Sequence, residues 1–287
     1  MSDGRDGEIE RASRVGGRMG IAPAGGHRAH RGRRAPRWAW PLALAVLALG
    51  TLASGGLVIR ALAETPAPVE IGRFRPPARD GAFPEGWEAL TFKKIARHTR
   101  YAVVRDGDGW VLRAESDASA SGLYHPLDLD AAVYRVLTWR WKVENVLVKA
   151  DARTKEGDDY PARVYVAFRH DPDAATLWER TRDRAIRLMY GQYPPRGVLN
   201  YVWDNRLAPG TTLDNAYTDR AKMIVIRSGP ALVGQWLTET RDIHADWRRL
   251  FGGEPPRIAG IAVMTDTDNT GERAVAYYDA ITLRAAP

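Results

Sequence analysis

The sequence predicts a mainly β fold, a sandwich or barrel with one or two inserted helices, placed after an N-terminal transmembrane or signal helix. Three observations predict it. Short β-branched and aromatic stretches alternate in polarity and are separated by Asp- and Gly-rich turns. One interior segment repeats its apolar residues at helical spacing. One run near the start is long, apolar and uncharged.

The chain begins with an unstructured basic tail, residues 1–37, rich in Gly, Ala and Arg with no apolar periodicity. Trp38 to Ile59 follow without a charge, enough apolar residues to span a bilayer core. Arg28, Arg31, Arg33, Arg34 and Arg37 precede this run and favour a cytoplasmic N-terminus. Residues 38–60 are therefore expected to be an inner-membrane anchor, N-terminus inside, with the folded part in the periplasm. Ala61-Leu62-Ala63 also has the small-x-small form of a signal-peptidase site, and cleavage after Ala63 would give a secreted protein. Residues 64–86 carry Pro66, Pro68, Pro76, Pro77 and Pro84 and read as a stiff spacer. The folded domain is expected over residues 87–284.

Composition excludes several classes. The 287 residues hold no cysteine, so disulfide scaffolds, thiolate metal sites and cysteine nucleophiles are ruled out. The net charge of +7 is concentrated in residues 1–60, which carry ten Arg against four acids. The rest is almost neutral, so no nucleic-acid partner is expected.

The strands follow in order. Tyr101–Arg105 and Trp110–Glu115 flank Asp106-Gly107-Asp108-Gly109, a strong hairpin turn. In Tyr134–Val143, Leu137, Trp139, Trp141 and Val143 point one way while Thr138, Arg140 and Lys142 point the other. In Ala162–Arg169, Ala162, Val164, Val166 and Phe168 oppose Arg163, Tyr165, Ala167 and Arg169. Val198–Trp203, Ala221–Arg227, Gly234–Ile243, Arg257–Thr265 and Arg273–Leu283 complete the set. A helix is expected from Asp171, its cap, to Gly191, its stop, and a short one over Ala245–Phe251.

No standard catalytic motif occurs: GxSxG, HExxH and GxxxxGK are all missing, which weighs against an enzyme. Ligand-binding candidates come from ring and guanidinium chemistry. Tyr and Trp stack on sugar faces, and Arg pairs bidentately with anions. If their strands are neighbours, Arg140, Lys142, Arg163, Tyr165 and Arg169 form one polar patch. Tyr201 and Trp203 are either core or cleft lining, and Trp236 lies on a polar face where it can stack. Metal candidates are carboxylates. Asp158 and Asp159 open a strand, where they can bind calcium, work as acid and base, or sit in a solvated turn. Asp266-Thr267-Asp268-Asn269-Thr270-Gly271-Glu272 is read as a polar hairpin loop rather than a calcium loop. Alternation puts Asp279 on one face with Val275, Tyr277, Ile281 and Leu283. A carboxylate facing a core needs calcium or an Arg beside it.

Four stretches carry a resemblance: Leu137-Thr138-Trp139-Arg140-Trp141-Lys142; Gly157-Asp158-Asp159-Tyr160-Pro161-Ala162-Arg163-Val164-Tyr165-Val166; Tyr201-Val202-Trp203; and Met264-Thr265-Asp266-Thr267-Asp268-Asn269-Thr270-Gly271. By them the chain resembles the exported bacterial family called domain of unknown function 3047, over roughly residues 71–284. The resemblance brings no catalytic residues. It implies a jelly-roll-like antiparallel β-sandwich similar to carbohydrate-binding modules. In such modules a carboxylate in the last strand often holds a structural calcium, and Asp-Asp is common where this chain has Asp279-Ala280. The expected function is binding of a polysaccharide or other anionic envelope ligand. The alternatives are a hydrolase or lyase using paired carboxylates, and a structural protein with an envelope-protein partner.

Overall fold

The computed structural model describes residues 65–77, 82–170 and 195–286. The N-terminal tail, the uncharged run and the helix expected from Asp171 to Gly191 lie outside the described residues. No helix among the described residues is long and apolar enough to cross a membrane.

Two sheets form the expected sandwich. The strands are β1 (Val69–Glu70), β2 (Glu88–Leu90), β3 (Arg100–Asp106), β4 (Gly109–Asp117), β5 (Ala120–Leu129), β6 (Val136–Val143), β7 (Ala162–Phe168), β8 (Gly197–Asp204), β9 (Thr212–Asn215), β10 (Thr218–Ser228), β11 (Leu237–Asp242), β12 (Ile258–Asp266) and β13 (Arg273–Arg284). One helix, α1 (Ile243–Phe251), follows β11. The first sheet runs β11-β6-β13-β4-β3, with β1 also paired to β13. The second runs β2-β5-β12-β7-β8-β10-β9. The core lies between them and joins Leu137, Trp139, Trp141 and Val143 of β6 to Val164, Val166 and Phe168 of β7 and to Tyr201 and Trp203 of β8. Tyr201 and Trp203 are thus core residues, fully buried.

The structure departs from the expected antiparallel sandwich at one pair. β10 runs parallel to β8. The cause is topological: β9 pairs antiparallel with the far side of β10, so β10 fills the slot between β8 and β9. A parallel neighbour needs a long connection, and residues 205–217, which include β9, supply it.

The stretch expected to be a spacer is partly built into the fold. Val69 and Glu70 pair with Leu283 and Thr282. Ile71 and Phe74 are buried, and the Trp87 indole N–H donates to Ile71 O at 3.3 Å. Strand β5 was not expected, because Gly122, His125 and Pro126 interrupt its pattern. Pro126 sits where the β5–β12 register shifts, a position that tolerates its missing N–H. Gly260 opposite is required by space: a Cβ there would fall within 2.3 Å of the Tyr124 ring.

The last strand carries the bend that matters most for the site. Ala280 has φ 50°, and the β13–β6 register shifts between Asp279 and Thr282. This bulge inserts one residue and reverses which side chains face the core. Ala274, Ala276 and Tyr278 point inward before it, and Ile281 and Leu283 after it. Asp279 therefore does not face the core, as strict alternation expects. It shares the outer face with Tyr277.

Left-handed backbone costs a non-glycine residue about 1–2 kcal/mol, while glycine loses about 0.5–1 kcal/mol through its freer unfolded chain. Ala280→Gly is expected to raise stability by about 0.5 kcal/mol, read from the urea midpoint. A clear loss of stability would show that the bulge does not hold Ala280 in this conformation.

Candidate functional site: the outer face of the first sheet

β6 sets the face. Its inward residues are fully buried, so Thr138, Arg140 and Lys142 must point out. Lys142 pairs across the strands with Tyr277, and Arg140 pairs with Asp279. On the other side Leu237 pairs with Trp141, and the preceding residue, Trp236, lies beside Lys142. Lys142 Nζ is 5.1 Å from the centre of the Trp236 ring and 4.4 Å from that of Tyr277. The Arg140 guanidinium lies 4.9 Å from the Trp236 ring, and the two rings are 6.3 Å apart. Two cations and two half-buried aromatic rings thus make one platform. Of the six ligand-binding residues expected from sequence, Arg140 and Trp236 are brought together here.

Asp279 meets a guanidinium: Arg140 NH1 is 3.5 Å from its carboxylate. An Arg, one of the two partners that sequence leaves open, is in contact with it. Burial pushes the Asp279 carboxyl above its ordinary range, and its own loop backbone, then Arg140 and Arg73, offset this in part.

Two platform residues were not expected. Tyr277 was assigned to the core, and Asp106 was read only as a turn residue. Asp106 ends β3 on the far edge of the sheet, yet its Oδ2 accepts from Lys142 Nζ at 2.8 Å and from Trp236 Nε1 at 2.5 Å. The reason lies in β4. It pairs with β13 only through Leu112–Asp117, because β1 takes the next stretch of β13. The free end of the β3–β4 hairpin folds over the outer face instead. The Lys142 and Trp236 hydrogen bonds hold the Asp106 carboxyl below its ordinary range.

Arg163 and Tyr165 do not join this platform. They belong to β7 in the second sheet, so the single patch expected with Arg140 does not form. Arg163 is buried and closed by ion pairs. Its Nε donates to Asp266 Oδ1 at 2.8 Å, and its NH2 donates to Asp266 Oδ2 and to Asp158 O. Its NH1 is 3.5 Å from Asp158 Oδ1, and the guanidinium lies over the Tyr160 ring. The Tyr165 hydroxyl meets the Met264 sulfur at 3.4 Å.

The two acidic loops, read separately in the sequence, converge beside Arg163. Asp159 accepts from the backbone N–H of Asn269 at 3.3 Å and of Thr270 at 2.6 Å. Asn215 donates to Asp158 at 2.9 Å. Asp159, Asp266 and Asp268 bring carboxylate oxygens within 4.8 Å of one another. Burial pushes Asp266 up, against the pull of Arg163, and Asp159 pushes it further. Burial and Asp159 also raise Asp268. These are the residues that could hold a metal, and an all-oxygen donor set suits calcium. However, Arg163 already takes both oxygens of Asp266, and loop donors take both oxygens of Asp159.

Removing Arg163 leaves a buried carboxylate without its cation. Arg163→Met is expected to cost about 3–5 kcal/mol in urea unfolding, and Arg163→Met with Asp266→Leu to recover most of it. A single variant within about 1 kcal/mol of the parent would rule out a stabilising role for this pair.

No curated protein matches the chain in sequence. Among solved structures, the family 11 carbohydrate-binding module from Clostridium thermocellum is 12% identical with a TM-score of 0.37, covering 76% of this chain and 96% of that one. The family 30 module of a cellulosomal cellulase from the same organism is 10% identical with a TM-score of 0.38, covering 76% and 98%. The xyloglucanase domain of a type three effector from Sinorhizobium fredii is 7% identical with a TM-score of 0.34, covering 70% and 98%. A family model matches residues 85–282, and the chain belongs to that family, described as protein of unknown function DUF3047.

Proposed function

We propose that this protein binds carbohydrate on the outer face of its first sheet. The observation that carries the reading is the platform itself: Trp236 and Tyr277 flank Lys142, with Arg140 alongside. Aromatic rings offer stacking surface to sugar faces, and Arg and Lys suit anionic substituents. A strand-borne platform is also rigid, which limits the ordering cost of binding. The ligand is a polysaccharide of the cell envelope. The same protein is exported and tethered to the inner membrane by residues 38–60, with the sandwich in the periplasm. The uncharged run and its five upstream arginines support that placement. The carboxylates at the other end favour a hydrolase less, because Asp159 and Asp266 are 1% exposed and a glycosidic bond would have to reach them.

Gel retardation in acidic and neutral polysaccharides tests the binding reading. The parent protein is expected to be retarded by an acidic polymer. Trp236→Ala and Arg140→Ala should each weaken retention by about 5–10-fold without lowering the melting temperature. Unchanged retention in both variants would remove the platform as the site. A phosphatase reporter fused after Pro287, active only when exported, tests the placement. Activity is expected, and an inactive, stably expressed fusion would put the domain in the cytoplasm.

A further inference from the structure

The hairpin tip over the platform occupies two of its hydrogen-bond donors. Asp106 reaches it from two strands beyond β13, and a single carboxylate oxygen accepts both a lysine ammonium and an indole N–H. Of these donors, the Lys142 ammonium lies against the rings of both Trp236 and Tyr277. The Asp106 side chain is 31% exposed and that of Lys142 17%. Both side chains keep some exposure, so another carboxylate can reach the two donors from solvent. Asp106-Gly107-Asp108-Gly109 has glycine at two of four positions, Gly107 with φ 59°, and neither Gly107 nor Gly109 has close packing around its Cα. The tip's other contacts are internal: Asp106 pairs with Gly109 across the hairpin, Arg105 lies over the Trp110 ring, and Arg105 donates to Asp108 O at 3.2 Å.

We propose that Lys142 Nζ and Trp236 Nε1 form a subsite for the carboxylate of a uronic acid, and that Asp106 is its built-in occupant, displaced when the sugar acid binds. The inference rests on the carbohydrate-binding reading of this face and narrows it to uronate-containing polymers. Asp106 then acts as an intramolecular competitor. It keeps the desolvated donors satisfied in the free protein and sets a threshold that only a carboxylate-bearing ligand passes. Neutral sugars, which offer no charge to exchange for Asp106, bind poorly. The Tyr277 hydroxyl is held by Glu144, so Tyr277 contributes its ring rather than a donor.

The test compares polygalacturonate, dextran sulfate and a neutral β-glucan as probes, using the full chain. Asp106→Asn keeps the turn and removes the competing charge. It is expected to tighten polygalacturonate binding about two- to five-fold and to leave the neutral glucan unchanged. Asp108→Asn removes the same charge from the same tip without touching Lys142, and should leave affinity where it was. Lys142→Met should abolish polygalacturonate binding with the fold retained in the melting curve. If Asp106→Asn binds no tighter while Lys142→Met still loses binding, the platform stands and the built-in occupant falls. If Asp108→Asn tightens binding as much as Asp106→Asn, the gain is general charge and the subsite falls. Equal retention by dextran sulfate would overturn carboxylate recognition. If parent and Asp106→Asn are both unretained by every polymer, the carbohydrate reading falls and takes this inference with it.

Discussion

Trp139 of one sheet stacks on Tyr201 of the other, with ring centres 5.2 Å apart, and Trp141 meets Trp203 at 5.9 Å beside it. Much else in the sandwich depends on this seam. Each ring pair adds about 0.5–1.5 kcal/mol beyond its burial, and losing one such ring costs about 3–5 kcal/mol. The seam also fixes registration. A shift of β6 by one residue would bring Arg140 and Lys142 inside and turn the two Trp outward. The outward direction of the platform cations is therefore a consequence of the ring contacts behind them.

Two of the seam's polar atoms, the Trp141 indole N–H and the Tyr201 hydroxyl, are tied to carboxylates, and this orders the surrounding elements. The Trp141 indole donates to Glu239 at 3.1 Å, and Arg227 holds the same carboxylate at 2.7 and 3.0 Å. This links β6, β10 and β11 across the two sheets. The Tyr201 hydroxyl donates to Asp246 at 3.0 Å, which Arg241 grips with two bonds and Arg249 with a third. Asp246 lies in the first turn of α1, so the core ring anchors the helix. Asp242 caps that helix by accepting from Ala245 at 2.8 Å. Trp247 and Phe251 then pack back toward Phe168. Buried carboxylates survive here because each has a guanidinium and at least one neutral donor.

Much of this was legible in the sequence where one face is apolar and the other charged. β6 and β7 were read with the correct inward residues, and the hairpin at Asp106-Gly107-Asp108-Gly109 was read from turn chemistry. What failed was periodicity across an irregular residue. Tyr277 and Tyr278 are adjacent, so one must face in whichever alternation holds. Ile281 and Leu283 can join Tyr278 inside only through a bulge, and Ala280 gives no glycine to announce it. β5 was hidden for a similar reason, since Pro126 belongs to an irregularity that its partner β12 shares. Pairing between sheets is a second limit. Alternation shows that Arg140 and Arg163 both leave the core, but not that they leave through opposite faces. The convergence of Asp158-Asp159 with Asp266–Thr270 is likewise long-range and has no local signature.

The two ends of polarity in this molecule follow different physics. Around Arg163 the charges are buried, and each contact fixes another. Tyr278 spans the core to place its hydroxyl beside Thr265 and the Met264 carbonyl, where it accepts from the Arg163 backbone N–H. Opening that network would expose several unpaired groups at once, so it behaves as structure. On the outer face of the first sheet, the pairs Arg140–Asp279 and Lys142–Asp106 keep part of their exposure to solvent. Such pairs can be exchanged for ligand contacts without disturbing the seam beneath them. That asymmetry separates partly solvated charges from charges that serve the fold. On the solvated face the cations lie on aromatic rings, and a carboxylate reaches them from the hairpin tip.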